Sequence, residues 1–444
     1  MIFLYFGLFF IVVLFELLRK RDFTIDFLSI FNFFFSLYYI FVPIVFHIHS
    51  TSEWVYMSRY SEAADSLYLY FSIMISLVLV NVFYIIFNVR SKWEGVLRVN
   101  NKRFIRFIVF GLFLGCLLIY LKSIGYGGIV KFAMSGYLSR AGEIDGGVFD
   151  YVTPFVKVIV PFFFIFVAFF VSFPSLRNFV ILTIAASFYG AWAMSTGGRG
   201  NLILTLLPVF FIYVNSKGIN ARVIALACTL AAIGLAVIAY GRSFFYALAL
   251  SNAGAGDFFS LFMKNQESFS GQGADPLVAI FRHFDHSLVS AFLILEDLDK
   301  YGGFRYIFDY PRVVLDALPG LSVVGGGLDA INASIPAQIN KELIGLSDGY
   351  VPVGWVGLML LNGGVIFLAI ASSVSGLVGG KLSSLIVSLE IPGKCGIYIF
   401  FAFFWFWFFF HTDPLNLIIP MVSYYIFIFF FLYLIKFRRY RIVG

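Results

Sequence analysis

The stretch Leu67–Phe87, LYLYFSIMISLVLVNVFYIIF, contains no charged side chain. A run of about 18 or more such residues is long enough to cross the hydrocarbon core of a membrane as an α-helix. A transmembrane β-barrel would instead alternate apolar and polar residues in segments of about ten. The apolar residues here are continuous, and a helix satisfies its backbone polar groups within the segment. The stretch therefore predicts a membrane-spanning helix.

The rest of the chain repeats this pattern. Of its 444 residues, 61% are hydrophobic and only 12% are charged, whereas an ordinary soluble domain has about 25% charged residues. We therefore predict an all-α fold, a polytopic transmembrane helical bundle of about eleven spans. The predicted spans are Ile2–Leu18, Phe27–Phe46, Leu67–Phe87, Phe104–Leu121, Val152–Ser172, Leu176–Ser195, Asn201–Val214, Ala221–Tyr240, Val351–Ser373, Gly396–Phe410 and Leu415–Ile435.

Basic residues predict how the bundle is oriented. Cytoplasmic loops carry an excess of Lys and Arg, and such residues collect in alternate loops here, beginning with Arg19-Lys20-Arg21. We predict a bacterial inner-membrane protein with its N-terminus in the periplasm and its C-terminus in the cytoplasm. The first apolar run lacks a basic leader and a small-residue cleavage site, so we expect a retained helix. Glu16, one turn before Arg19, is interpreted as structural.

The net charge of +7 fits the same orientation. It does not favour nucleic acid as a partner, because the basic residues mark loops between apolar spans. A secondary interpretation of the charge is an anionic, lipid-linked substrate. The three cysteines, Cys116, Cys228 and Cys395, have no spacing typical of a disulfide framework or a zinc site.

Two predicted outer segments are too long to be simple connections. The N-terminal transmembrane bundle, residues 1–240, contains an outer loop at 122–151, and a large periplasmic helical loop at 241–350 separates it from C-terminal transmembrane helices at 351–444. Loops of this length in a compact protein are usually functional. We expect the large loop to lie over the outer mouth of the bundle. Hydropathy shows no internal repeat, which disfavours a transporter built from two similar halves.

The large loop contains a cluster of ionisable residues. Asp275-Pro276 is a typical helix start, and the apolar helical pattern that follows is interrupted by Arg282, His283, Asp285 and His286. Histidine can move protons near neutral pH, and a carboxylate can orient it. The alternative is the polar face of an interfacial helix with local ion pairs. Two histidines three residues apart with no clear third ligand do not favour a metal site, so none is predicted.

A second candidate is the turn at Thr196-Gly197-Gly198-Arg199-Gly200. Its glycines allow a close backbone approach to a ligand, and the guanidinium of Arg199 suits a phosphate. The simpler alternative is a tight turn whose arginine side chain snorkels to the membrane interface. The remaining candidates for binding a pyrophosphate or a glycan are the outer cations, which could also anchor lipid headgroups: Arg140, Arg242, Arg305, Arg312 and, within a predicted span, Lys157.

These features together resemble the bacterial oligosaccharide repeat-unit polymerases, the Wzy-type O-antigen polymerases. The resemblance lies in the span number, the outer arginines, the late large loop and two short motifs. The turn at Thr196–Gly200 is similar to the small-residue, Arg-Gly turn of that family. The stretch Gly357-Leu-Met-Leu-Leu-Asn-Gly-Gly364 looks like its Gly-Glu-x-x-x-Asn-x-Gly segment. Leu358 stands where the family often has Glu, so any role of that acid is absent here or supplied elsewhere.

The resemblance implies a fold like that of the lipid-donor (GT-C-like) glycosyltransferases and a reaction in the periplasm. A glycan would leave its undecaprenyl pyrophosphate carrier for the sugar of an incoming lipid-linked unit, without a cofactor. His283, His286 and Asp285 are then the candidate bases, and a chain-length-regulating co-polymerase is an expected partner. An O-antigen ligase shares the same donor, and a flippase or transporter for lipid-linked sugars is an alternative of a different class.

Overall fold

The structure, a computed structural model, describes residues 1–48, 57–90, 97–98, 101–138, 153–196, 199–221, 225, 229, 243–252, 254, 256–270, 281, 286–299, 353–410 and 422–434. The first half of the chain forms α1 (Ile2–Leu18), α2 (Phe27–Ser36), a π-helical turn (Leu37–Phe41), α3 (Val42–Ile48), α4 (Met57–Asp65), α5 (Leu67–Arg90), β1 (Leu97–Arg98), α6 (Asn101–Gly125), α7 (Ile129–Leu138), α8 (Thr153–Val156), α9 (Ile159–Ser172), α10 (Leu176–Ser195) and α11 (Arg199–Lys217). The second half adds α12 (243–252), α13 (Phe258–Ser270), α14 (His286–Glu296), α15 (Gly354–Val387), β2 (Leu389–Glu390), α16 (Lys394–Phe410) and α17 (Val422–Leu434).

The prediction of an all-α, membrane-embedded protein is confirmed. Five of the described helices are long and apolar enough to cross a membrane: Phe27–Ile48, Leu67–Asn88, Asn101–Gly125, Leu176–Ser195 and Gly354–Val387. Further apolar helices in the described residues are shorter, among them α1, α9 and α17. The count of eleven spans and the likeness to lipid-donor glycosyltransferases stay predictions.

Helix α15 is a hairpin rather than one straight rod. Its backbone leaves the helical region at Gly363 (φ 165°, ψ 31°) and Gly364 (φ 68°, ψ −160°). The indole Nε1 of Trp355 donates to Ser372 Oγ at 3.3 Å, although in a straight helix these residues would lie roughly 25 Å apart. The chain therefore folds back at the two glycines. The single span predicted at Val351–Ser373 is wrong, because hydropathy does not register a reversal.

The second arm of this hairpin, residues 365–387, packs in parallel against α5. Ser372 Oγ lies 3.0 Å from Ser76 Oγ, and Tyr84 OH donates to Ser383 Oγ at 3.0 Å. Between these contacts, a Cβ added to Gly376 would meet Val80 O at 2.4 Å. Small residues at this spacing let two helices approach closely, which is how helices associate in a membrane. The same register places the Gly363–Gly364 break level with the first turn of α5.

Large aromatic side chains fill the space between α2, α5 and α16. The ring of the buried Trp405 lies 5.9 Å from Phe27, 5.8 Å from Phe31 and 6.3 Å from Tyr84, centroid to centroid. Its indole Nε1 donates to the carbonyl of Ser375 at 3.2 Å, so the polar atom of the ring is satisfied. Because lipid tails are as apolar as these rings, close packing rather than exclusion of water stabilises the contact.

Contacts between distant segments define two ends of the bundle. At one end, which we call the basic end, Asn215 Nδ2 donates to Ile25 O at 2.7 Å and β1 pairs with β2. The predicted inner loops meet here. At the opposite end, His47 Nε2 lies 3.8 Å from Asp65 Oδ1 and Tyr5 OH donates to Ala64 O at 3.1 Å.

Candidate functional site

The candidate residues fall at the ends of helices, where the structure describes them. Lys157 lies in the short connection between α8 and α9, Arg199 is the first residue of α11, and His286 is the first residue of α14. The side chains of Arg199 and His286 lie outside what the structure describes. The other candidates lie wholly outside the described residues: Arg140, Arg242, Arg282, His283, Asp285, Arg305 and Arg312.

Three separate segments meet at Tyr39, which lies in the π-helical turn. Its hydroxyl accepts a hydrogen bond from the backbone N–H of Val356 at 3.4 Å. A Cβ added to Gly354 would lie 2.5 Å from that hydroxyl and 2.8 Å from the Cβ of Ser287. We call this set, Tyr39, Ser287, Gly354 and Val356, the Tyr39 junction. Here the first turns of α14 and α15 come together inside the bundle.

The Tyr39 junction lies deep within the bundle. Tyr39 is about 18 Å along its helix from Phe27, in a span of 22 residues that ends at Ile48. Both helix starts are therefore near mid-depth. Their directions agree as well, because Ser287 neighbours Gly354 and, one turn later, Ala291 neighbours Gly357. Helix α14 and the first arm of α15, residues 354–362, run side by side towards the opposite end.

This depth differs from what the sequence predicts. We expected the 241–350 segment to lie over the mouth of the bundle, but α14 is inserted into it, with Leu288, Ser290 and Ile294 fully buried. The apolar run Leu288–Leu295 explains the insertion, while the charged Glu296 at the end of α14 is exposed. The first turn of α14, at Ser287 and Leu288, therefore lies in the interior rather than at an interfacial surface.

Neutral hydroxyl groups line the contact between α5 and the hairpin at a similar depth. Ser76, Ser372 and the indole of Trp355 form one connected set of hydrogen bonds. Buried polar groups in a membrane are expensive unless they are bonded, and these bond to one another. The motif that resembles the polymerase family forms the first arm of the hairpin and its break. Within it Asn362 Nδ2 donates to Leu358 O at 2.8 Å, and the Leu358 side chain is buried.

A charged cluster lies at the basic end, about a half-bundle away from the Tyr39 junction. The Arg19 guanidinium donates to Asp26, and to Glu16 Oε2 at 2.8 Å and Ser29 Oγ at 2.7 Å. Asn32 Nδ2 extends the cluster by donating to Glu16 Oε1 at 2.6 Å.

The two ionic partners at the centre of this cluster are almost completely buried. The side chains of Arg19 and Asp26 are each only 2% exposed. Burial lowers the pKa of the Arg19 guanidinium, but the carboxylates of Asp26 and Glu16 outweigh burial and raise it above its ordinary value. Arg19 therefore remains charged. The interpretation of Glu16 as structural agrees with this arrangement, because its carboxylate joins α1 to α2.

The cluster and the Tyr39 junction include residues that sequence reasoning missed. Asn32 and Tyr39 are seven residues apart and so fall on nearly the same face of a helix, and Asp26 is the N-cap of α2. The spacing of these polar residues is visible in the sequence, although the aromatic residues between them make it hard to recognise. Ser287 carries no signal of this kind. Within the described residues, no group of three or more His, Cys, Asp or Glu side chains could hold a metal ion.

Comparison with known proteins does not assign the chain to a family. No family model, no curated protein and no solved structure matches it.

Proposed function

We propose that the chain is a glycosyltransferase of the bacterial inner membrane that joins undecaprenyl-pyrophosphate-linked oligosaccharide repeat units at the periplasmic face. The observation that carries this proposal is the contact between α14 and the first arm of α15. It places the helix that begins at His286 beside the Gly357–Gly364 motif, which runs from near mid-depth towards the opposite end of the bundle. Two regions singled out for different reasons are thus neighbours.

The proposed reaction needs a base and a set of cations. A hydroxyl of the acceptor sugar attacks the anomeric carbon of the donor glycan as the bond to the pyrophosphate breaks. The base takes the hydroxyl proton, and the carrier leaves as undecaprenyl pyrophosphate. His286, His283 or Asp285 would act as base. Cations would hold the developing charge on the leaving pyrophosphate, among Arg140, Lys157, Arg199, Arg242, Arg282, Arg305 and Arg312.

Part of this chemistry has support from the described elements. The Tyr39 junction puts the first turn of α14 among buried hydroxyls, away from bulk water. A base in such surroundings meets less competition from water, and fixed dipoles act more strongly there. Lys157, at the α8–α9 connection, and Arg199, at the start of α11, each lie at the end of a helix rather than within one. We propose that cations at these helix ends contact the pyrophosphate of the lipid-linked donor.

A second candidate is a flippase for the same lipid-linked sugars. The start of α15 near mid-depth favours it, because helices that begin or break near the middle of the membrane form the substrate sites of many transporters. An O-antigen ligase would use the same donor and differ in its acceptor. These alternatives predict different products, so one set of assays separates them.

The deciding experiment uses the purified full chain with an undecaprenyl-pyrophosphate-linked repeat unit in detergent. Mass spectrometry should show products of two and more repeat units together with free undecaprenyl pyrophosphate. Transfer only when a lipid A core acceptor is added would identify a ligase. Absence of turnover, combined with movement of the lipid-linked unit across reconstituted vesicles, would identify a flippase. If the chain is a polymerase, cells from which its gene has been deleted should accumulate a single lipid-linked repeat unit.

The proposal also requires that the Tyr39 junction open towards the periplasm. Cysteine substitutions at Ser61, exposed at the opposite end, and at Lys20, exposed at the basic end, test the orientation. A membrane-impermeant thiol reagent added to intact spheroplasts should label Ser61→Cys and spare Lys20→Cys. Labelling of Lys20→Cys alone would invert the orientation and contradict a periplasmic reaction. The measurement is a mass shift on the purified protein, read against a variant without added cysteine.

A further inference from the structure

A cavity of about 450 Å³ lies at the corner where α6 meets α7, against α10. Its walls are mainly apolar, and its lining includes Tyr120, Ile124 and Phe188 together with the backbone of Gly127 and Gly128. This volume lies within the roughly 300–1,000 Å³ that is usual for small-ligand sites in proteins. The cavity is at the opposite end of the bundle, because α6 runs there from the basic end.

The cavity opens sideways from the bundle. Tyr120 is 52% exposed and Ile124 is 50% exposed, and both lie in the last two turns of a membrane-spanning helix. Their exposed surface therefore faces lipid near the level of the headgroups. A Cβ added to Gly128 would meet nothing within 4 Å, so the turn at this residue leaves open space. Tyrosine at this depth is typical of the membrane interface.

The rim of the cavity carries one free ammonium group. Lys131, in the first turn of α7, is exposed, and its Nζ lies 3.9 Å from the Cβ position of Gly127. In the part of the chain that the structure describes, Lys131 makes no hydrogen bond or ion pair. Its neighbour Lys122 is engaged elsewhere, since it donates to Thr153 and lies 5.9 Å from the ring centroid of Phe132.

We infer that this corner binds an anionic glycerophospholipid of the surrounding bilayer, with its phosphate at Lys131 and part of an acyl chain in the cavity. The charge fits this occupant because a single ammonium matches the single net negative charge of a headgroup such as phosphatidylglycerol, whereas a zwitterionic headgroup carries its own cation. A pyrophosphate, as in the proposed donor, carries more charge and is usually held by several cations. The site is therefore distinct from the proposed catalytic one, and it stands whether or not the chain is a polymerase.

The test measures phospholipid retained by the full chain in native mass spectrometry, with phosphatidylglycerol or phosphatidylcholine added. Lys131→Gln should lower phosphatidylglycerol retention about fivefold, the factor expected when one ammonium–headgroup contact is lost. Retention of phosphatidylcholine should hardly change. The matched control is Lys102→Gln, an exposed lysine at the other end of α6, which should retain phosphatidylglycerol like the wild type.

A second variant tests the apolar part of the site. Ile124→Trp should fill the cavity and lower retention of both lipids, whereas Phe113→Trp, exposed on α6 away from the cavity, should not. Unchanged phosphatidylglycerol retention in both Lys131→Gln and Ile124→Trp would overturn the inference. Displacement of phosphatidylglycerol by an equal concentration of undecaprenyl phosphate, or by inorganic phosphate alone, would also overturn it, by identifying a different occupant. Because retention is measured without turnover, failure of the proposed function would not affect the result.

Discussion

At the basic end of the bundle, charged side chains join α1 to the start of α2, whereas at the Tyr39 junction a tyrosine hydroxyl, a serine and a glycine join the π-helical turn, α14 and α15. The first contact is ionic and almost free of water, since Arg19 and Asp26 are each 2% exposed. The second depends on neutral hydrogen bonds, among them that of 3.4 Å from Val356 to Tyr39, and on a glycine whose position leaves no room for a Cβ without a shift. A substitution at the basic end removes a strong interaction, and one at the junction disturbs a weak but tightly fitted one.

This difference has a consequence for where movement can occur. Breaking a buried ion pair leaves a charge without a partner in a medium that solvates it poorly, so the basic end has one stable arrangement. Hydroxyl groups exchange partners at little expense, and the hairpin break at Gly363–Gly364 can absorb rotation. A reaction that admits two bulky lipid-linked substrates needs such freedom at one end. The half of the bundle between the Tyr39 junction and the opposite end has this freedom.

The largest expected effect comes from Arg19→Ala. The substitution leaves the carboxylate of Asp26 buried without its ionic partner, which destabilises a fold by about 3–5 kcal/mol. We expect the variant to be absent from the membrane fraction. Arg21→Ala is the matched control, because Arg21 is 33% exposed and bonds the same Glu16. Its cost should stay below about 1 kcal/mol. Quantitative immunoblots of membrane fractions measure the amount of each variant protein. Equal amounts of the two variants would show that the Arg19 cluster does not stabilise the basic end.

The next prediction concerns enzymatic activity rather than the amount of protein in the membrane. His286 precedes Ser287 of the Tyr39 junction, so we expect His286→Ala to lose polymer and His283→Ala to be mild. Loss of a general base lowers a rate typically by 10²–10⁴-fold. The wild type should show a pH–rate limb near pH 6–7 that disappears in the inactive variant. Both variants should accumulate normally.

If His283→Ala loses polymer and His286→Ala is mild, His283 rather than His286 would be the base. Normal polymer in both single variants and in the double variant would exclude imidazole as the base. The proton acceptor would then be a carboxylate such as Asp285 or Glu143.

A smaller effect is expected from Gly354→Ala. Gly354 has a φ of +72°, which side chains other than glycine rarely adopt, and its added Cβ would lie 2.5 Å from Tyr39 OH. Backbone strain of this kind costs about 1–3 kcal/mol, so the variant should accumulate less and make less polymer. Gly190→Ala is the control, because a Cβ there meets nothing within 4 Å. Thermal unfolding in detergent, followed by tryptophan fluorescence, compares them, and equal midpoints would show that the first turn of α15 is not tightly fitted against Tyr39.

The sequence predicts some of these elements well and others not at all, for physical reasons. Long apolar runs define Leu67–Phe87 and Phe27–Phe46, and the helices end within a few residues of those bounds, because the membrane requires a minimum apolar length. Hydropathy averages over a window, so it merges the two arms of α15 across Gly363–Gly364. Only the paired glycines hint at that reversal. The local Glu16–Arg19 pair is visible in sequence.

The longer-range partners are not visible in the same way. Asn81 bonds Asn32 across two helices, and no local spacing predicts that contact. The depth of α14 escapes prediction for a related reason, because a helix too short to cross the membrane can lie on its surface or within a bundle. Its apolar composition is compatible with both, and only its packing against Gly357 distinguishes them.

The smallest expected effect, and the sharpest comparison of stability with activity, comes from Tyr39→Phe. The substitution removes the hydroxyl that accepts from Val356 and keeps the ring, so the free energy of unfolding should fall by only about 0.5–1.5 kcal/mol. Tyr70→Phe is the matched control, since the Tyr70 hydroxyl donates to Leu4 O at 3.2 Å elsewhere at the opposite end. The two variants should unfold at similar temperatures. If the junction orders the first turn of α14 for catalysis, Tyr39→Phe should lower polymer formation several-fold and Tyr70→Phe should not. Equal activity in both variants at equal protein level would mean that Tyr39 serves only to cap α15, and that the reaction takes place elsewhere in the bundle.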